Sequence, residues 1–241
     1  MNENLREIAE GIKKGEEITI GEGGRIKATH DKPVHPQHPE HPEHPEKRIK
    51  APRSFGGPFL LTASIDCIPW NVKNPEMYII DKIEMRKRYP EFWEMKAGDL
   101  VQGWHGSLQP VSGMDCFYIM AYYPFNFPPA MPRIKILAPD IFGIYYLMRE
   151  PSKRHPHFYS DGAICSFFPP DKSWLPGIGT VADLLDFASL WLVGHLYWKE
   201  TGEWIQPSID HNPEFLKSIL KPNDYCYCGS FKPFKRCCGK K

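Results

Sequence analysis

From Thr180 to Lys199 the chain carries Leu184, Leu185, Ala188, Trp191, Leu192 and Leu196, with further apolar side chains between them. At 3.6 residues per turn these cover nearly the whole circumference of a helix. A helix that is apolar all round is buried on most of its surface. Thr180 suits its N-cap, and Asp183 lies in the first turn, where the dipole favours an acid. The apolar run between Asp186 and Lys199 is about half of the ~20 residues that a membrane-spanning helix needs. The rest of the protein therefore has to wrap this helix.

Strand-like runs are available to do so. Leu100 to Leu108, Cys116 to Tyr123 and Arg133 to Leu137 follow one another, with Phe117, Ile119 and Ala121 on one face of the second and Ile134 and Ile136 on one face of the third. Alternation at period two predicts half-buried strands, and their close spacing predicts an antiparallel meander. Asn74-Pro75 opens a helical pattern through Met77, Ile80 and Ile83 that is read on past Pro90 to Trp93, with Gly98 at its end. Proline is tolerated in a first helical turn. The expected order is helix, three-strand meander, irregular loop and buried helix, an α+β domain. The 25 prolines argue against an all-helical bundle.

Residues 1–57 differ. A helical pattern (Leu5, Ile8, Ala9, Ile12) ends at Gly15, and Glu17 to Ile20 alternates briefly before Gly21. Then His35-Pro36, His38-Pro39, His41-Pro42 and His44-Pro45 repeat at period three, which favours polyproline II. This is either a semi-rigid linker or a histidine metal trap. With few large apolar side chains, residues 1–57 are expected to be a flexible extension that adds little to the core. The domain boundaries expected are 58–215 for the α+β domain and 221–241 for a separate tail. Met1 to Lys14 has no apolar core of a secretory signal, so a reducing cytoplasm is expected. The net charge is +1, which gives no reason to expect nucleic acid or a membrane as partner.

Seven cysteines cannot all pair within the chain. Four lie in the tail, as Cys226-Tyr227-Cys228 and Cys237-Cys238. Two pairs of soft thiolates on a short loop suit tetrahedral zinc. Lys221, Lys232, Lys235, Arg236, Lys240 and Lys241 against Asp224 make the tail net +5, and nearby cations lower thiol pKa values. A peptide this short does not fold on its own core. The run Asn223 to Ser230 with Cys237-Cys238-Gly239 resembles the SEC-C zinc motif. It departs by Phe231 where glycine is usual and by Cys238 where histidine is common. In that family the motif is an adaptor, so the resemblance implies docking and no reaction.

Cys67 and Cys116 lie among apolar residues and read as buried small hydrophobes. Cys165 follows Arg154-His155-Pro156-His157-Phe158-Tyr159-Ser160-Asp161-Gly162-Ala163-Ile164, a loop rich in titratable groups. Imidazoles close by can lower a thiol pKa or take its proton, so Cys165 is either a nucleophile or buried filler on spacing alone.

Four ordered motifs resemble the ubiquitin-conjugating (UBC) enzymes: Tyr123-Pro124-Phe125-Asn126-Phe127-Pro128-Pro129, then His155-Pro156-His157, then Gly162-Ala163-Ile164-Cys165, then Trp174-Leu175-Pro176. Gly103-Trp104-His105-Gly106 is similar to the tryptophan-containing first strand of that family. The resemblance covers roughly residues 72–206. It implies the UBC-like α+β fold: N-terminal helix, antiparallel meander, active-site loop and buried C-terminal helix. It implies that Cys165 accepts the C-terminal acyl group of a carrier protein as a thioester and passes it to an amine. The family's Asn is His157 here, which is an oxyanion donor, a base or a packing residue. His155 stands where the family has a structural histidine. Asp161 is either a turn former with Gly162 or an acid that orients a histidine.

The combination is similar to bacterial conjugating enzymes of the CBASS antiphage systems. There the carrier is a cGAS-like nucleotidyltransferase with a flexible C-terminus. The chain has no Walker-type phosphate loop. Either a separate activating enzyme loads Cys165, or Cys165 attacks a peptide bond near the carrier's C-terminus. A noncatalytic UBC-like scaffold, docking partners through the zinc tail, is the competing reading. The connection from Leu137 to His155, with Ile141, Phe142, Ile144, Tyr145, Tyr146 and Leu147, is either core padding or a receiving surface.

Overall fold

A computed structural model describes residues 1–28, 68–146, 157–159, 161–206 and 213–240. The His-Pro repeat, Cys67, His155 and Leu147 lie outside the described residues.

The central element is helix α4 (Val181–Thr201). Thr180 and Asp183 form a reciprocal capping box at its start, and Gly202 ends it in the left-handed region. Leu184, Leu185, Ala188, Trp191, Leu192 and Leu196 are all buried, as the all-round apolar pattern requires. Among the described residues no helix is long and apolar enough to cross a membrane.

One side of α4 is covered by a four-stranded antiparallel sheet in the order β3 (Trp93–Ala97), β4 (Leu100–Leu108), β5 (Phe117–Tyr122) and β6 (Arg133–Ala138). Phe117, Ile119, Ala121, Ile134 and Ile136 form its buried face, the one expected from alternation. Half-buried Cys116 lies just before β5 and is less enclosed than expected.

The expected continuation of the 75–93 helix past Pro90 does not occur. Helix α3 runs Pro75–Arg88. Tyr89, which precedes Pro90, leaves the helical region (φ −132°, ψ 59°), as proline requires of its neighbour. Residues 93–97 then form β3, so the meander has four strands, with Gly98 in the turn between β3 and β4. The face of α3 also differs from the expected one. Ile80 and Ile83 are 54% and 57% exposed, while Asp81 and Met85 face inward. Asp81 belongs to the core because three donors meet it there. Its Oδ1 accepts from the Val181 N–H (2.6 Å), and its Oδ2 from the Trp104 indole (3.2 Å) and the Tyr123 hydroxyl. A one-turn helix, α2 (Trp70–Lys73), precedes α3 and buries Trp70.

The expectation that residues 1–57 add little to the core fails for 1–28. Helix α1 (Glu3–Lys14) is capped by the Asn2 side chain, which accepts from the N–H groups of Asn4 and Leu5. Leu5, Ile8 and Ala9 are buried in the same core as α4. Strands β1 (Ile18–Ile20) and β2 (Ile26–Ala28) form a small hairpin. In its turn, Gly24 has φ +75°, and a Cβ there would stand 2.3 Å from Ser189 Oγ on α4. Only glycine allows that approach. Few apolar residues suffice, because each is directed onto an apolar helix. Of the 138–154 connection, Ile141 is buried and Phe142 packs 5.4 Å from Phe158, while Ile144 is exposed.

His195 of α4 is stacked parallel to Trp191 and buried. Burial pushes its imidazole down to about 4, and Lys199 adds to the fall. An unfolded histidine titrates near 6.5, so the native state refuses a proton that the unfolded chain takes. The stability involved is complete above pH 6.5 and lost as pH falls toward 4, by up to about 3 kcal/mol. Urea melts from pH 7 to 4.5 should show this acid loss, and His195→Gln should flatten it.

Candidate functional site

The region around Cys165 is a tight hairpin. Phe158 and Ile164 form an antiparallel bridge, the Tyr159 N–H donates to Ala163 O (2.8 Å), and the Cys165 N–H donates to His157 O (3.0 Å). The turn is made by Asp161 and Gly162. Asp161 Oδ1 accepts from the Ala163 N–H (3.0 Å), and Gly162 has φ +82°. The hairpin is tied to β6 by Ile164 N–H donating to Ile134 O (2.9 Å). Since Ile134 follows Arg133, this bond brings the start of β6 beside Cys165.

Cys165 is half-buried. Burial raises its thiol pKa, while the Tyr159 hydroxyl and the Arg133 charge pull it down; the net shift is upward. The Arg133 guanidinium lies 4.3 Å over the Tyr159 ring. Tyr122, opposite Arg133 in the sheet, has its hydroxyl pushed up to about 12 by burial and by Asp161. Two polar atoms stand out. Arg133 Nη1 and Tyr159 Oη are buried without a partner in good hydrogen-bond geometry; the hydroxyl interacts with the Cys165 thiol, whose thiolate it favours, and with the Arg133 guanidinium. Two buried donors that, among the described residues, meet only each other and a thiol, in poor geometry, point to a site that a better acceptor would complete.

The structure brings Cys165, His157 and Asp161 into this one hairpin; His155 lies outside the described residues. The His157 ring is buried and packs 4.3 Å from Trp204, and its carbonyl accepts from the Cys165 N–H and the Trp191 indole. What it contributes to Cys165 is a backbone acceptor. Asp161 is the turn former, with an electrostatic influence on Tyr122.

The second cluster is Cys226, Cys228, Cys237 and Cys238, whose sulfurs all lie within 4.8 Å of one another. Tetrahedral zinc with bonds near 2.3 Å needs sulfurs about 3.8 Å apart. Cys228 and Cys237 are at 3.5 Å. Cys226 Sγ also accepts from the backbone N–H groups of Cys228 and Cys238, the contacts that a bound thiolate needs. Ser230 donates to the Cys237 sulfur at 3.3 Å and is the largest influence holding that thiol down at about 7. The donor set fits zinc.

This cluster is docked on the α+β domain. Phe231 is buried 5.5 Å from Trp174 and 5.2 Å from Tyr225. It has φ +51°, in the left-handed region that favours glycine. The strain is offset by an aromatic anchor. Arg133 Nη2 donates to Cys228 O (2.9 Å), a second tie. Phe231→Ala keeps the strain and removes the anchor, so it should cost about 3 kcal/mol in a denaturant melt while leaving metal content unchanged.

A family model described as "Type II CBASS E2 protein" matches residues 81–212, just over half of the chain. The chain belongs to that family. Membership of the type II CBASS E2 family gives it an E2-like, conjugating-enzyme-type role in an antiphage system, and its CBASS setting points to partners within the operon. The UBC-like α+β fold is accordingly the architecture described above. The match includes Cys165 and its hairpin; the cysteine cluster lies beyond it. No curated protein matches the chain. One matching solved structure is "A complex of the Vps23 UEV with ubiquitin", at 15% identity over 52% of this chain and 83% of that one, with a TM-score of 0.30. At that score the likeness carries no argument.

Arg133 and Tyr159 stand beside Cys165 in this CBASS E2, and sequence reasoning did not single them out. Arg133 begins a strand and Tyr159 lies in the loop. Nothing in their spacing joins them, because a β6 backbone contact does so. Polar residues at a strand start and inside a titratable loop were the available signal.

Proposed function

We propose that Cys165 accepts the C-terminal acyl group of a carrier protein as a thioester and transfers it to an amine on a target. The carrier in this reading is the cGAS-like nucleotidyltransferase of the same operon. The observation that carries the proposal is the position of Cys165: it ends a hydrogen-bonded hairpin inside the family match, half-buried beside a phenol and a guanidinium. A thiolate is nucleophilic at neutral pH, and covalent catalysis splits acyl transfer into two easier steps. In loading, the sulfur bonds to the carrier's carbonyl carbon and the previous leaving group departs with its electron pair. In transfer, the amine nitrogen bonds to that carbon and gives up one proton to solvent, the C–S bond breaks, and the sulfur leaves as thiolate. The net upward pKa shift of the resting thiol means that its proton must be lost on loading.

His157 supports this step through its carbonyl and its packing on Trp204, and Asp161 by shaping the turn. His155 is assigned the supporting role that the UBC resemblance implies. Either an activating enzyme loads Cys165, or the thiol attacks a peptide bond near the carrier's C-terminus. Cys226, Cys228, Cys237 and Cys238 hold a structural zinc, which closes the tail into a docked unit. The noncatalytic scaffold remains the alternative that a thiol-independent result would favour.

In cells carrying the operon, immunoblots for the cyclase should show higher-mass conjugates. Cys165→Ala should abolish them without lowering the level of the protein. Conjugates that persist in the variant contradict the proposal.

A further inference from the structure

The two buried donors next to Cys165 are poorly paired, and acyl transfer would bring them a better acceptor. Any attack by a thiolate on a carbonyl turns the carbonyl oxygen into an oxyanion, and preorganised donors aimed at that oxygen are a large part of acyl-transfer catalysis. The family's side chain for this task is replaced by His157, whose ring is buried against Trp204. Two other donors stand beside the thiol. We propose that Arg133 Nη1 and Tyr159 Oη bind the oxyanion formed at Cys165, and that the cysteine-rich tail holds Arg133 in place through the Cys228 carbonyl. This inference rests on Cys165 being the nucleophile.

Each donor is fixed at its other end. Arg133 Nη2 is anchored on Cys228 O at 2.9 Å, so the guanidinium cannot swing freely. The Tyr159 ring lies under that guanidinium at 4.3 Å; its backbone N–H donates to Ala163 O and its C=O accepts from the Gly162 N–H. The remaining polar atoms, Nη1 and Oη, lack good hydrogen-bond geometry, and among the described residues the hydroxyl interacts only with the thiol and the guanidinium. Burial and the neighbouring thiol push the Tyr159 phenol far up, so the hydroxyl keeps its proton and donates at every physiological pH. A guanidinium keeps its protons in any case. Both groups therefore donate, and neither can serve as the base. Arg133 comes from β6, Tyr159 from the hairpin, and the carbonyl that anchors Arg133 from the tail, so three parts of the chain meet at this thiol.

A competing explanation is that the pair only stabilises the Cys165 thiolate. Two small probes separate the cases on the full, zinc-loaded chain. Iodoacetamide alkylates the thiolate by displacing iodide, and no oxyanion forms. p-Nitrophenyl acetate acylates it: the sulfur–carbon bond forms, the carbonyl π pair moves to oxygen, and collapse expels p-nitrophenolate with its electron pair. The thiol proton goes to solvent in both reactions. Changes in the thiolate fraction therefore cancel in the ratio of the two rates, once the rates of Cys165→Ala are subtracted.

Tyr159→Phe removes one oxygen and keeps the packing. It should lower the acylation-to-alkylation ratio on the order of 10²-fold, and Arg133→Gln should do likewise. If Arg133→Gln disturbs the tail, Tyr159→Phe decides alone. A ratio within about twofold of wild type in Tyr159→Phe, on an enzyme that does acylate, overturns the donor assignment. A wild-type chain alkylated at Cys165 but never acylated there instead overturns the nucleophile reading, and the donor assignment falls with it.

Discussion

Removing zinc with a strong chelator should unfold residues 221–240 and lower the melting temperature of the whole chain. Four thiolates within 4.8 Å of one another repel unless a cation sits among them. The tail is too short to fold on apolar burial alone. Metal binding in such peptides supplies apparent folding free energies of about 10–16 kcal/mol near pH 7. The effect should spread beyond the tail, because Phe231 sits in the main core and Arg133 bonds Cys228 O. Cys226→Ser should mimic chelation, since Cys226 is the fully buried member of the cluster. The check is a thermal melt paired with a colorimetric zinc assay: about one zinc per chain is released as the first transition moves down. A purified chain without zinc that melts the same with and without chelator contradicts this.

The second large effect is expected at Asp81. Its carboxylate joins α3 to β4 through Trp104, to the end of β5 through Tyr123, and to the first residue of α4 through the Val181 N–H. Burial raises its pKa, and the donors around it oppose that shift. Asp81→Ala removes the acceptor and leaves these donors in the core, which should cost about 3–5 kcal/mol. The Tyr123 hydroxyl and the Trp104 indole still meet each other at 3.1 Å, so the loss falls most on the start of α4. Equilibrium urea melts should show a lower midpoint. Hydrogen exchange should show faster opening of the first turn of α4. Loss of less than about 1 kcal/mol would mean that water replaces the carboxylate.

Asp81 also shows where sequence reading reaches its limit. The face of α3 was read from Met77, Ile80 and Ile83, because apolar side chains ordinarily face the core. A carboxylate that accepts three donors reversed that preference, and no pattern on α3 itself signals donors that arrive from β4, β5 and α4. Helix α4 was legible because its own apolar residues demand burial, and β4 to β6 because alternation is local. Strand β3 was hidden by a helical pattern read through Pro90, whose effect on Tyr89 stops the helix. The cysteine cluster was legible from two close pairs of one residue type. Cys165 was visible from its loop and the UBC-like motifs. Its neighbours Arg133 and Tyr159 were not, since the Ile164 to Ile134 hydrogen bond that joins their segments is tertiary. The docking of the tail likewise depends on Phe231, which in sequence was only a departure from glycine.

The central claim is that Cys165 carries an acyl group between two proteins. Its most direct test is intact-mass spectrometry of the full chain incubated with the cyclase from its own operon, with and without the operon's activating enzyme. The account predicts a covalent adduct on the wild-type chain that collapses on addition of excess thiol. The adduct should be absent from Cys165→Ala, and it should persist as a thiol-resistant ester in Cys165→Ser. An adduct of the same mass on Cys165→Ala, or no Cys165-dependent adduct in either arm, would contradict the account.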